Sequence, residues 1–160
     1  QEFYRDRGYF GATIQVECRE HTGRCREVLI DIEEGKQARI EEIVLRGDEP
    51  SEGVRALLPE LGAEATKALS ESTVTAIRDE LRRSRFLRSR VRGRYIDTKS
   101  GGKAFELTIR RGDEVRIGFE GNRRFTDAEL LNTVDLLSRR FPIGQRLPQV
   151  LRERIEELYR

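Results

Sequence analysis

An α+β chain of tandem β-α-α-β-β modules is the expected architecture of this protein. It rests on an internal repeat, on hydrophobic periods that switch between two and 3.6 residues, and on helix-capping residues at the switches. The repeat comes first, because self-similarity at a fixed spacing defines the unit that folds. Leu29-Ile30-Asp31-Ile32-Glu33-Glu34-Gly35 aligns with Glu106-Leu107-Thr108-Ile109-Arg110-Arg111-Gly112 at an offset of 77. The same offset puts Tyr9-Phe10 on Phe86-Leu87 and Ile14 on Val91. Ile43, Leu45, Gly47 and Leu57 match Ile117, Phe119, Gly121 and Leu131 at an offset of 74, so the copies differ by one short length change between Gly35 and Gly47.

Gln1 to Arg7 reads as the middle of a helix, and two strands with a period of two follow it. If Ile14 and Val16 face inward opposite Ile32 and Ile30, Cys18 faces Val28 and Cys25 falls in the loop. In the central unit Ile40, Ile43 and Leu45 form a strand that turns at Gly47-Asp48. Ser51 is placed to cap a short helix bearing Val54, Leu57 and Leu58, which Pro59 and Gly62 close. A second helix is expected from Ser70 or Ser72, with Val74, Ile77 and Leu81 on one buried face. Val91, Gly93 and Tyr95, then Phe105, Leu107 and Ile109, alternate as a hairpin across Ser100-Gly101-Gly102.

The last unit opens alike. Val115, Ile117 and Phe119 alternate as a strand before Gly121-Asn122. Thr126 and Glu129 form a capping box for a helix with Leu130, Leu131, Val134 and Leu137. Pro148 suits the first turn of a helix with Leu151, Ile155 and Leu158.

Charged residues are 38% of the chain, yet 31 basic and 29 acidic side chains leave a net charge of only +2, unlike the lopsided balance of most nucleic-acid binders. Of the basic residues 27 are Arg. No run approaches the ~20 apolar residues that cross a bilayer, and the start does not resemble a signal peptide. With neither Met nor Trp and a mid-helix beginning, the chain is expected to be a piece of a longer protein.

Val115-Arg116-Ile117-Gly118-Phe119-Glu120-Gly121-Asn122-Arg123-Arg124-Phe125-Thr126 resembles the first strand and turn of a POTRA domain. Tyr4-Arg5-Asp6-Arg7-Gly8-Tyr9 resembles the end of that domain's second helix. The resemblance spans the chain as the back part of one POTRA (1–37), a complete one (38–112) and the front part of a third (113–160). The central unit departs from it, with Arg46-Gly47-Asp48 for aromatic-Glu-Gly-Asn and Arg85-Phe86 for Gly-Tyr.

This resemblance implies elongated tandem modules, each a three-stranded mixed sheet with two helices on one face. It further implies a BamA-like or TamA-like protein on the periplasmic side of a Gram-negative outer membrane, whose membrane β-barrel follows and whose repeats bind unfolded outer-membrane clients and assembly lipoproteins. The POTRA region of a two-partner secretion transporter, or a purely structural spacer, is the alternative.

The expected sheet order leaves an outer strand to which an extended client can add by main-chain hydrogen bonds. The expected contacts are Thr13, Gln15 and Glu17 on the strand Ala12 to Arg19, and Arg88, Arg90, Arg92 and Arg94 on the strand Arg88 to Tyr95. The four arginines share one face. They serve either as a cationic stripe for an acidic partner or as a solvated face that keeps the edge from aggregating.

Cys18 and Cys25 flank a hairpin turn at His21-Thr22-Gly23, and an oxidising periplasm suggests a disulfide, which needs a bulge or another register to form. Zinc held by Cys18, His21 and Cys25 would have three ligands where structural sites use four. No nucleophile and base surround His21 and no phosphate loop is present, so the chain is read as a non-enzyme without cofactor or metal. Nucleic-acid binding through the arginine strand is the weaker rival, for want of aromatic stacking positions. The two partial modules lack complementary parts, and head-to-tail self-association is expected to complete them.

Overall fold

The computed structural model describes residues 1–21, 24–134 and 146–160, except the side chains of Glu20, His21, Arg24 and Arg26. Elements run α1 (Glu2–Arg5), β1 (Thr13–His21), β2 (Arg24–Glu33), β3 (Ile40–Gly47), α2 (Glu52–Arg55), α3 (Lys67–Arg83), β4 (Arg90–Asp97), β5 (Lys103–Arg110), α4 (Asp127–Val134) and α5 (Leu147–Leu158). β1 and β2 form a two-stranded sheet, and a second sheet has the order β3-β5-β4.

The second sheet is mixed. Glu41 at the start of β3 accepts from the Ser100 hydroxyl just before β5, at 2.6 Å. Asp48, just past β3, donates its amide to the carbonyl of Ile109 near the end of β5, at 2.9 Å. Like ends meet, so β3 and β5 are parallel. β4 returns antiparallel, with the Thr98 amide donating to the Gly102 carbonyl at 3.1 Å. This β-α-α-β-β order with a central β5 is the expected α+β module.

Two compact units emerge, and both cut through that module. The first comprises Gln1–Arg46, Leu58–Val74 and Gly93–Leu107. Its core holds Ile40, Ala65, Phe105 and Leu107, all almost fully buried. Tyr95 packs against Phe105 in a tilted arrangement with ring centroids 5.4 Å apart, and Phe10 meets Tyr95 edge-on at 6.0 Å. The Tyr95 hydroxyl donates to the Thr66 carbonyl at 2.9 Å, and burial pushes its pKa up to about 12. The second unit comprises Gly47–Leu57, Thr75–Arg92 and Thr108–Arg160. There Val54, Ile77, Leu81, Leu87, Val91 and Ile109 are buried, as are Leu130 and Val134 of α4.

Caps set the helix starts. The Ser51 hydroxyl accepts from the Val54 amide at 3.4 Å. α3 starts at Lys67, earlier than Ser70 or Ser72, because the Thr66 hydroxyl accepts from the Leu69 amide at 3.2 Å. Both arms of the capping box close, with the Thr126 amide donating to Glu129 at 2.8 Å and the Glu129 amide to the Thr126 hydroxyl at 3.3 Å. The Thr126 amide and the Thr126 hydroxyl, which donates to the same carboxylate oxygen at 2.9 Å, hold the Glu129 carboxyl below its ordinary pKa. Pro148 lies in the first turn of α5, whereas Leu137 lies outside the described residues.

One expected strand is absent. Residues 115 to 119 keep the alternation of half-buried and exposed side chains but belong to no sheet. A strand persists through its ladder of hydrogen bonds. Among the described residues no strand lies beside this one, and the Val115 amide donates instead to the Arg85 carbonyl, at 3.0 Å.

That bond belongs to a repeat at atomic detail. The Ala38 amide donates to the Gly8 carbonyl at 2.9 Å, and adding 77 to both numbers gives the Val115 to Arg85 bond. Likewise the Tyr9 amide bonds the Tyr4 carbonyl at 2.9 Å, and the Phe86 amide the Leu81 carbonyl at 2.8 Å. Gly8 has φ 90°, and the matched residue is Arg85 with φ 67°, the one non-glycine at positive φ among the described residues. A left-handed backbone costs a residue with a Cβ about 1–2 kcal/mol, partly offset by the greater unfolded-state freedom of glycine. Arg85→Gly is therefore expected to stabilise the protein by about 0.5–1 kcal/mol, read as a higher urea midpoint.

Candidate binding edges

β4 lies at the margin of its sheet, so every second backbone group along it points away from β5. The Thr98 to Gly102 bond fixes the phase: even-numbered residues of β4 bond β5, and the peptide groups of Val91, Gly93 and Tyr95 point outward. Arg78 reaches the Val91 carbonyl at 3.5 Å, which leaves Gly93 and Tyr95 as the open stretch. The side chain of Gly93 could not be larger. A Cβ there would stand 2.7 Å from the Phe105 ring and 2.9 Å from Val74 of α3.

The opposite face carries Arg90, Arg92 and Arg94. Arg88 does not join them. It precedes the strand in a turn, where the Ser89 amide bonds the Phe86 carbonyl at 3.2 Å and Leu87 is anchored in the core. Arg94 is already committed, for its Nε and Nη2 donate to the same Glu106 oxygen at 2.7 and 2.6 Å. Arg46 stands 3.8 Å from the other oxygen. The Glu106 side chain is only 11% exposed, and Arg94 alone is close enough to satisfy it by hydrogen bonds. The arginine row is thus Arg90 and Arg92 beside a likewise exposed Arg94 that is ion-paired with the largely buried Glu106. Neither Glu106 nor Arg46 stands out in the sequence as a site residue, although a lone Glu between Phe105 and Leu107 is its visible sign.

In the hairpin, Thr13, Gln15 and Glu17 lie exposed on one face of β1, and the Thr13 hydroxyl donates to Glu33 at 3.4 Å. Ile14 pairs with Ile32, Val16 with Ile30 and Cys18 with Val28, the register read from the hydrophobic pattern. The inward-facing expectation fails. Val16 is 64%, Val28 57%, Ile30 56% and Ile32 42% exposed, because no helix among the described residues covers that face.

A bulge after Arg19 shifts the register so that Glu20 faces Cys25. Cys25 therefore lies in β2 and not in the loop, and a disulfide joins it to Cys18 with Cα atoms 5.7 Å apart. Neither sulfur is a thiolate ligand in that state. Thr22 and Gly23 of the expected turn lie outside the described residues, as does the His21 side chain. A loop of this size should be worth about 2 kcal/mol by chain entropy. Reduction is accordingly expected to speed amide exchange in β1 and β2 by roughly thirtyfold while leaving Phe105 and Leu107 protected.

An open hollow lined by Asp6, Arg7, Gln37, Glu64 and Lys67 has its main polar groups already paired. Lys67 bonds Asp6 at 3.1 Å, and Gln37 donates to the Arg7 carbonyl and to Glu64 at 2.9 and 3.1 Å. Among the described residues no group of three His, Cys, Asp or Glu side chains converges as a metal site would need, and no helix is long and apolar enough to cross a membrane.

Fold and edges together define a class: an α+β module with a mixed three-stranded sheet of order β3-β5-β4, and a disulfide-closed hairpin. Among the solved structures that the chain is similar to is one described as the crystal structure of Haemophilus influenzae BamA POTRA3-5. Identity is 20%, the TM-score is 0.49, and the match covers 98% of this chain and 65% of that one. No family model and no curated protein matches the chain.

Proposed function

We propose that this chain is a periplasmic POTRA scaffold of a BamA-like or TamA-like outer-membrane assembly protein, divided at 1–37, 38–112 and 113–160. Its repeats would hold client polypeptides and assembly lipoproteins beside a membrane β-barrel belonging to the same protein. The observation that carries this reading is the open margin of β4, where the outward peptide groups of Gly93 and Tyr95 offer a template that any extended chain can use. Main-chain pairing makes little demand on client sequence. Arg90 and Arg92 beside it would favour clients with acidic residues at alternate positions.

A spacer role is supported by a different observation, the paired hydrogen bonds at Gly8 and Ala38 and at Arg85 and Val115, which fix the chain identically where one proposed module leads into the next. Replacing Arg90 and Arg92 together by Ala separates the two roles. Two exposed charges at an interface predict roughly five- to tenfold weaker binding of an acidic, extended peptide, with an unchanged unfolding midpoint. Binding that is unaffected would favour the spacer.

A further inference from the structure

Along β5 the buried Phe105, Leu107 and Ile109 alternate with Glu106, Thr108 and Arg110, which therefore lie on the opposite face of the sheet. What these three meet on β4 is fixed at both ends of the hairpin. The Thr98 amide bonds the Gly102 carbonyl at 3.1 Å, Arg94 bonds Glu106 at 2.7 Å, and a Cβ on Gly112 would lie 3.6 Å from that of Arg88. Two residues along from Arg94 and Glu106, Arg92 is opposite Thr108. Two further on, Arg90 is opposite Arg110, in step with Arg88 and Gly112 beyond.

Two arginines thus face each other directly across the strands. Side chains so placed have Cβ atoms about 4.5–5.5 Å apart, and like charges there repel. Arg92 adds a third cation one diagonal step away, and the half-buried Thr108 adds a hydroxyl. All three arginines are exposed, and none has an ion pair among the described residues. The carboxylate at the end of the neighbouring strand, that of Asp48, is held by the Arg111 amide at 2.7 Å. Solubility alone does not account for the arrangement. Arg94 shows the alternative, since it faces Glu106, and an acid at position 110 would relieve the repulsion in the same way while leaving the face charged.

Three guanidiniums and a hydroxyl exceed what one carboxylate can use, with its single charge and two oxygens in one plane. A phosphate group offers three acceptor oxygens in a tetrahedral arrangement and up to two charges, so several guanidiniums can share it. We propose that this face binds a phosphate group, dissolved or on a lipid headgroup, clamped by Arg90, Arg92 and Arg110 with the Thr108 hydroxyl as a further donor. The site does not rest on strand addition at β4, because Thr108 and Arg110 belong to the central strand, away from the margin.

Titration of the full chain with inorganic phosphate, followed by the arginine Nε–H resonances, tests this. Those of Arg90, Arg92 and Arg110 should shift and saturate, while acetate at equal ionic strength leaves them nearly in place. Arg110→Gln should weaken phosphate binding roughly tenfold, the loss of one charge-assisted contact. Arg123→Gln, which removes the same charge from another exposed position, should leave it unchanged. Arg110→Glu should abolish binding yet raise the thermal midpoint, because it sets opposite charges across from each other, and a folding defect would lower both. Vesicles of phosphatidylglycerol in phosphatidylcholine separate the sources. Co-sedimentation that Arg110→Gln reduces identifies a headgroup, and phosphate binding without co-sedimentation identifies a dissolved phosphate compound. Shifts that do not saturate with phosphate, that acetate reproduces, or that survive Arg110→Gln unchanged overturn the proposal.

Discussion

Phe105→Ala is expected to cost about 3–5 kcal/mol, the range for deleting a buried aromatic side chain. Phe105 is fully buried in the central strand, and its ring extends over the place where Gly93 has no side chain. Tyr95 flanks the ring at 5.4 Å and is itself fixed by its bond to the Thr66 carbonyl. None of these neighbours is free to collapse into the space, so the penalty should fall at the upper end. Against a typical total of about 5–15 kcal/mol, such a loss leaves the module close to unfolded at body temperature. A urea melt followed by tyrosine fluorescence reads the effect. Leu45→Ala is the control, for Leu45 is 37% exposed and should cost about 1 kcal/mol or less.

Gly47→Ala is the second large effect, at about 2–4 kcal/mol, and here the damage lies in the backbone. The residue has φ 86°, and its added methyl would run into the Ile109 carbonyl oxygen, a backbone atom that cannot swing aside. Relieving the clash means pulling β3 off β5 and losing both Asp48 bonds. Gly101→Ala separates the two contributions. That residue has φ 87° but nothing within 4 Å of an added methyl, so it carries the conformational strain alone, about 1 kcal/mol. Similar melting curves for the two variants would mean that the close approach contributes nothing.

Much of this fold was legible because it depends on periodicity and local chemistry. The hairpin register followed from Ile14, Val16, Ile30 and Ile32, and the capping box from Thr126 and Glu129. What escaped the sequence depends on three-dimensional neighbours. The bulge after Arg19 that brings Cys25 into β2 is a one-residue slip to which an alternating pattern is blind. Residues 115 to 119 carry a strand pattern, but pattern supplies only a face, and a strand also needs a partner. Arg88 matched the spacing of Arg90 and Arg92, yet burial of Leu87 pulls the chain into a turn there.

The candidate edge was legible as a stripe of arginines, though the role of one was not. Arg94 looked like the rest until its sheet partner proved to be Glu106, a carboxylate set among apolar residues of the next strand. Cross-strand register decides that pairing, and it was visible only as an arithmetic consequence of the hairpin turn. Arg85 gave a subtler sign. An Arg standing where the preceding copy has Gly8 marked a left-handed position occupied by the wrong residue type.

Adding an extended, acidic peptide to the isotope-labelled chain and following its amide resonances asks most directly whether β4 receives a client strand. The outward amides of Gly93 and Tyr95 should shift and gain protection from exchange, while those of Arg92 and Arg94, already bonded to β5, should move far less. Binding without any change at Gly93 and Tyr95, or shifts spread evenly over all the arginines, would contradict strand addition at this edge.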